Sequence, residues 1–121
     1  MQTVKLAILA LSLLMLNAIG AFGGVSGNEL LQYCSIVSRA QMPLQEIYNV
    51  GACDGFLQGI DYAMSNCSTN VDGFSAQLPE NATLPQIKSV VLKFFNNNPE
   101  LLHNEGGQLV AQAVSKAFPC R

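Results

Sequence analysis

The sequence predicts an all-α protein, a small disulfide-stapled helical bundle of about four helices. Three observations carry that expectation. Apolar residues recur every three or four positions in separate stretches, no stretch alternates convincingly with period two, and four cysteines lie beyond residue 24. An even cysteine count in a small exported chain reads as two disulfides.

Export is read from the first 24 residues. "MQTVK" holds the only basic side chain before Arg39, and "LAILALSLLMLNAIGAF" follows without a charge. Gly20, Ala21, Gly23 and Gly24 then supply small residues. A basic start, an apolar run and a small-residue exit form a secretory signal peptide over residues 1–24. Leu6 to Phe22 also reaches the lower length limit for a membrane span. The glycines at its end and the polar start at Ser26 favour cleavage, after Gly20, Ala21 or Gly23.

Residues 25–121 then form a single domain of roughly 97 residues. The whole chain has a formal net charge of −2. Loss of Lys5 with the leader leaves five basic and eight acidic side chains, a net charge of about −3. Arg39, Lys88, Lys93, Lys116 and Arg121 are scattered, so no basic patch is offered to nucleic acid. Without its leader the domain has no expected membrane contact.

The helices follow in order. "GNELLQYCSIVSRA" places Leu30, Leu31, Cys34 and Val37 at helical spacing, with Asn28 as its N-cap. "QMPLQEIYNV" reads as a linker or a short helical turn, interrupted by Pro43. The second helix runs from about Gly51 to Cys67, with Cys53, Phe56, Leu57, Ile60, Ala63, Met64 and Cys67 within an arc of about 140°. "STNVDGFSAQLPENA" has no lasting period, and Asp72-Gly73 is a turn signal. Thr83 and Gln86 form a capping box, with Pro85 tolerated in the first turn. Leu84, Ile87, Val90, Val91, Phe94 and Phe95 make the third stripe, stopped by "NNNP". The last helix runs from about Glu105 to Ala117, with Leu109, Val110, Ala113, Val114 and Ala117 inward.

Helical placement sorts Cys34, Cys53, Cys67 and Cys120. Cys53 and Cys67 share a helix and stand roughly 21 Å apart along it, too far to be bridged. Two connectivities survive. Cys34–Cys53 with Cys67–Cys120 joins neighbouring helix ends and is favoured; Cys34–Cys67 with Cys53–Cys120 requires the first and last helices to exchange ends. A zinc site is disfavoured, because no CxxC pair occurs and the spacings are 19, 14 and 53. No metal or other cofactor is expected.

Gly55, Gly59 and Tyr62 lie within about 60° of one another, opposite the apolar stripe. Two glycines inside a helix cost about 1 kcal/mol each relative to alanine. Close packing by another helix of the same chain would repay that, and so would a second subunit. Asp54 and Asp61 on the flanks read as solvated.

The sequence contains no GxSxG, HExxH or phosphate loop. His103 is the only histidine and falls in a loop, and paired cysteines leave no thiol nucleophile. The chain is therefore not expected to be an enzyme. "NCS" at 66–68 and "NAT" at 81–83 match the N-glycosylation pattern, which would matter in a eukaryotic secreted protein.

Several motifs in order resemble a known family. Leu30-Leu31-Gln32-Tyr33-Cys34 is followed by Cys53-Asp54-Gly55-Phe56-Leu57-Gln58-Gly59, then Cys67, then Asn98-Pro99-Glu100-Leu101-Leu102-His103, and finally Leu109 through Cys120, "LVAQAVSKAFPC". Together they resemble the type VI secretion amidase-immunity proteins, the Rap/Tai group, across nearly the whole domain. The resemblance implies a disulfide-bonded helical protein of the bacterial periplasm, often a homodimer, whose partner is a peptidoglycan amidase effector. Such proteins bind the effector and block access to its active site. Two departures are Phe56, where relatives often carry tyrosine, and the long polar segment between Cys67 and Thr83.

That segment is the candidate partner-binding loop. Ser68–Ala82 is anchored at Cys67 and by the Thr83 cap, with Val71, Asp72, Gly73 and Phe74 at its tip and the aromatic as an exposed anchor. The alternative function is a periplasmic helical chaperone or stress-response protein without an amidase partner, switched by carboxylates that bury on association.

Overall fold

The computed structural model of the protein describes residues 1–5 and 24–121, so the apolar run of the leader expected over residues 1–24 lies outside the described residues. Four α-helices follow one another, α1 (Gly27–Cys34), α2 (Leu44–Met64), α3 (Leu84–Asn97) and α4 (Gly106–Ala117), with a 3-10 turn at Pro99–Leu101 before α4. Each α-helix packs against the other three. Among the described residues there is no strand, and no helix is long and apolar enough to cross a membrane.

The cap of α1 lies two residues before the expected one. Ser26, in extended conformation, holds the Glu29 N–H with its hydroxyl at 3.3 Å, and the Glu29 carboxylate accepts from the Ser26 N–H at 2.8 Å. Asn28 is already inside the first turn and donates its N–H to the Leu102 carbonyl at 2.9 Å. The helix ends at Cys34, leaving Val37 exposed beyond it.

The larger correction concerns α2. Pro43 does not interrupt a helix; it stands immediately before one, with φ −56° and ψ 148°. Twenty-one residues then form a continuous helix that begins seven positions before Gly51. Leu44, Ile47 and Tyr48 are exposed, so the first two turns add nothing to the core-facing stripe from which the helix was recognised. Cys53, Leu57 and Met64 are buried on the opposite side, and Phe56 and Ile60 pack partly against the core.

The Thr83–Gln86 capping box starts α3 as expected, with bonds of 2.9 and 3.4 Å. Ile87, Val91, Phe94 and Phe95 point inward. Asn98 ends the helix by donating its side-chain amide to the Phe94 carbonyl at 2.8 Å. In α4, Leu109, Val110, Ala113 and Val114 are buried as expected; Ala111 joins them, and Ala117 is exposed.

The N-terminal end of α1 is stitched to the α4 junction. Gly106 N–H donates to the Val25 carbonyl at 2.7 Å, and Gly27 N–H to the Asn104 carbonyl at 3.0 Å. A Cβ on Gly106 would stand 2.6 Å from that same Val25 oxygen and 2.5 Å from a Leu30 methyl. Backbone cannot yield as a flexible side chain does. Gly106→Ala is therefore expected to lower stability by about 1–3 kcal/mol, read as a lower urea midpoint in equilibrium unfolding. An unchanged midpoint would mean that this approach is looser than the geometry states.

The cysteines are joined Cys34–Cys53 and Cys67–Cys120, with Cα separations of 5.2 and 5.9 Å, and none is free. The first bridge is inside the core; the second is on the surface.

Candidate functional site

The segment between α2 and α3 is fixed at several points. Beyond the Cys67–Cys120 bridge, the Thr69 hydroxyl donates to the Ala63 carbonyl at 2.6 Å, and Gln77 N–H donates to the Phe118 carbonyl at 2.9 Å. Val71 and Phe74 exchange backbone hydrogen bonds of 3.0 and 2.9 Å across Asp72 and Gly73. Both central residues have positive φ, 50° and 84°, as a two-residue type I′ turn requires. Asn70 accepts the Gly73 N–H at 3.1 Å.

This geometry corrects the expected tip. Asp72 and Gly73 are exposed, whereas Val71 and Phe74 are half-buried and packed against the core. A two-residue turn sets its flanking residues side by side on one face, here the face toward the bundle. Removing aromatic surface from water holds it there. Phe74 is thus a strut beneath the turn, and the outward surface is small and polar. Ala76, further along, is completely buried.

The outer face of α2 is the second surface. Gly55 and Gly59 have no heavy atom within 4 Å of where a Cβ would sit, apart from chain neighbours and the helix's own backbone, and the same holds for Gly51. Among the described residues, packing by another helix does not account for these glycines. Tyr62 is 86% exposed, Leu44 83%, Tyr48 66% and Ile47 52%, all on the same helix. Sequence reasoning missed the last three because the helix was started at Gly51. Their i, i+4, i+7 continuation into the glycines was the available signal.

Charges flank this face. Lys88 pairs with Asp54 at 2.6 Å and Arg39 with Glu46 at 2.7 Å. Those carboxylates have partners, but Asp61 Oδ1 is shielded from solvent with no donor. Asp54 and Asp61 are half-buried rather than freely solvated. Desolvation raises the Asp61 pKa above its ordinary value. The native state then holds this proton more tightly than the unfolded chain. Ionised Asp61 subtracts stability above the carboxylate range, and the penalty vanishes in acid, where both states are protonated. Asp61→Asn should raise the thermal midpoint at pH 7, with the gain fading below about pH 4. Glu29 acts in the opposite sense: hydrogen bonds from the Ser26 backbone and hydroxyl lower its pKa, so its contribution is lost as acid protonates it.

Neither surface resembles a reaction centre. His103 is exposed, and every cysteine is bonded. A hollow of about 410 Å³ between α3 and α4 has Lys93 and Lys116 among its lining, with Phe94 and Ala113, but no carboxylate, hydroxyl or imidazole. Among the described residues no group of three or more His, Cys, Asp or Glu could hold a metal ion. What these surfaces offer is exposed apolar side chains on α2 and a small polar turn, the material of a binding surface.

Comparison with protein families agrees with a binding role. The model of the Rap1a immunity proteins matches residues 26–120. The chain belongs to the Rap1a immunity protein family. The match runs from the Ser26 cap to Cys120, so it includes all four helices, both disulfides and the turn at Asp72-Gly73. Membership in the Rap1a family makes this an immunity protein for a secreted effector, whose work is to bind. No curated protein matches the chain.

Proposed function

We propose that this Rap1a-family protein is exported to the periplasm, where it binds a peptidoglycan-cleaving amidase delivered by type VI secretion and blocks its active site. The observation that carries the reading is the family match over 26–120, to which the ordered Rap/Tai-like motifs add the amidase class. The signal-peptide pattern of residues 1–24 and two disulfides fit an oxidising compartment. An inhibitor benefits from a surface ordered before binding, because ordering it afterwards costs affinity. The bridge at Cys53 fixes α2 on its core side, and the bridge at Cys67, three residues beyond the helix end, fixes the start of the loop. The resemblance further implies a homodimer, and we read the protein as one.

The test uses the oxidised chain lacking residues 1–24, added to peptidoglycan amidases that competing bacteria secrete. Stoichiometric loss of hydrolysis with a stable complex is the expected result. If it protects cells against a secreted toxin of another chemistry while leaving every amidase active, the target is not an amidase.

A further inference from the structure

We propose that the outer face of α2 joins two copies of this chain, antiparallel, about a two-fold axis passing Gly55. The inference rests on the homodimeric reading above and adds the surface and the symmetry that close it.

The spacing along α2 is its own mirror about Gly55. Gly51 and Gly59 stand four residues to either side, and Tyr48 and Tyr62 seven. At 100° per residue all five, with Leu44, fall within an arc of about 80°, opposite buried Cys53, Leu57 and Met64. A two-fold axis perpendicular to the helix pairs each position with its counterpart across Gly55. Tyr48 then meets Tyr62 of the second copy, Gly51 meets its Gly59, and Gly55 meets itself. The same patch serves both partners, as an isologous contact requires.

The rest of the face agrees. No ionised side chain lies within that arc, so the axis brings no charge against its own copy; Asp54 and Asp61 sit to one side. The open glycines let two backbones approach closely, and exposed tyrosines at both ends supply contact area. Aromatic side chains bury about 150–250 Å² each when covered. Two tyrosines with Leu44 and the glycine backbone offer roughly 500 Å² per copy, so two copies reach the lower bound of about 1,000 Å² for a specific interface, that of a small dimer.

Charge complementation tests the symmetry. Tyr48→Arg and Tyr62→Glu are each expected to weaken self-association more than about tenfold in analytical ultracentrifugation. Mixing the two variants should restore a heterodimer, because only the antiparallel axis sets position 48 of one copy against position 62 of the other. Gly55→Leu should be monomeric yet, at concentrations where the wild type is also dissociated, fold with an unchanged or higher thermal midpoint, since no described residue of its own chain opposes the side chain. A wild-type dimer that survives Gly55→Leu would overturn this face and leave the dimer reading standing. A dimer broken by both tyrosine variants but not recovered by mixing would overturn the antiparallel axis. A wild-type monomer at high micromolar concentration would overturn both.

Discussion

Reducing both disulfides is expected to unfold the protein at 37 °C, and the two bridges should open in a fixed order. In the chain-entropy account, closing loops of 19 and 53 residues restricts the unfolded chain by about 3 and about 4 kcal/mol. A domain of this length has a total stability of only about 5–15 kcal/mol. Losing both bridges therefore removes a large part of it. The order follows from access, since exchange needs a thiolate to reach a sulfur. Cys34 and Cys53 are 3% and 0% exposed, whereas Cys67 and Cys120 are on the surface. Graded reductant, alkylation and mass mapping should show Cys67 and Cys120 labelled first, with helical circular dichroism retained. Labels at Cys34 and Cys53 should appear together with loss of structure. Labelling of the inner pair first, in a still-folded protein, would show that the core opens more readily than its burial implies.

The parts legible in the sequence were those whose signal is local and core-facing. The Thr83–Gln86 capping box needs only four consecutive residues, and it starts α3 as read. The disulfide pairing followed from helical rise, which kept Cys53 from Cys67, and from which helix ends adjoin; the structure has the favoured pairing. Leu44–Val50 is not legible as helix because Leu44, Ile47 and Tyr48 face outward. Pro43, read as an interruption, is equally at home just before a helix. Ser26 was passed over for Asn28, although Glu29 three residues after Ser26 completes the capping box.

The candidate surfaces divide in the same way. Gly55, Gly59 and Tyr62 stand out by period alone, but whether another helix covers them is a tertiary fact, and among the described residues none does. The direction of Phe74 depends on the two-residue turn formed by Asp72 and Gly73. A turn signal without its register leaves open which flanking side chain faces the bundle.

Excising residues 70–77, from the segment the sequence offers as a partner-binding loop, should unfold the protein or nearly so. The cut would take away half-buried Val71 and Phe74, buried Ala76 and the Gln77 bond to the Phe118 carbonyl beside the Cys67–Cys120 bridge. Deleting a large buried aromatic costs about 3–5 kcal/mol. Phe74 is only partly covered, but Val71, Ala76 and the lost backbone bond bring the excision to a similar total. A urea midpoint lowered by an amount equivalent to about 3–5 kcal/mol is the expected reading. Loss of inhibition by the excised chain would consequently say nothing about contact with an effector. A question about contact has to be put at the turn itself. Asp72→Arg changes an exposed side chain and leaves the Val71–Phe74 bonds in place. If the turn enters the effector's site, Asp72→Arg should weaken inhibition by more than about tenfold, while the left-handed backbone at position 72, which suits Asp better than Arg, lowers stability by no more than about 1 kcal/mol in urea. Full inhibition by Asp72→Arg would move the contact away from the turn, and full stability of the 70–77 excision would mean that Phe74 is not a strut.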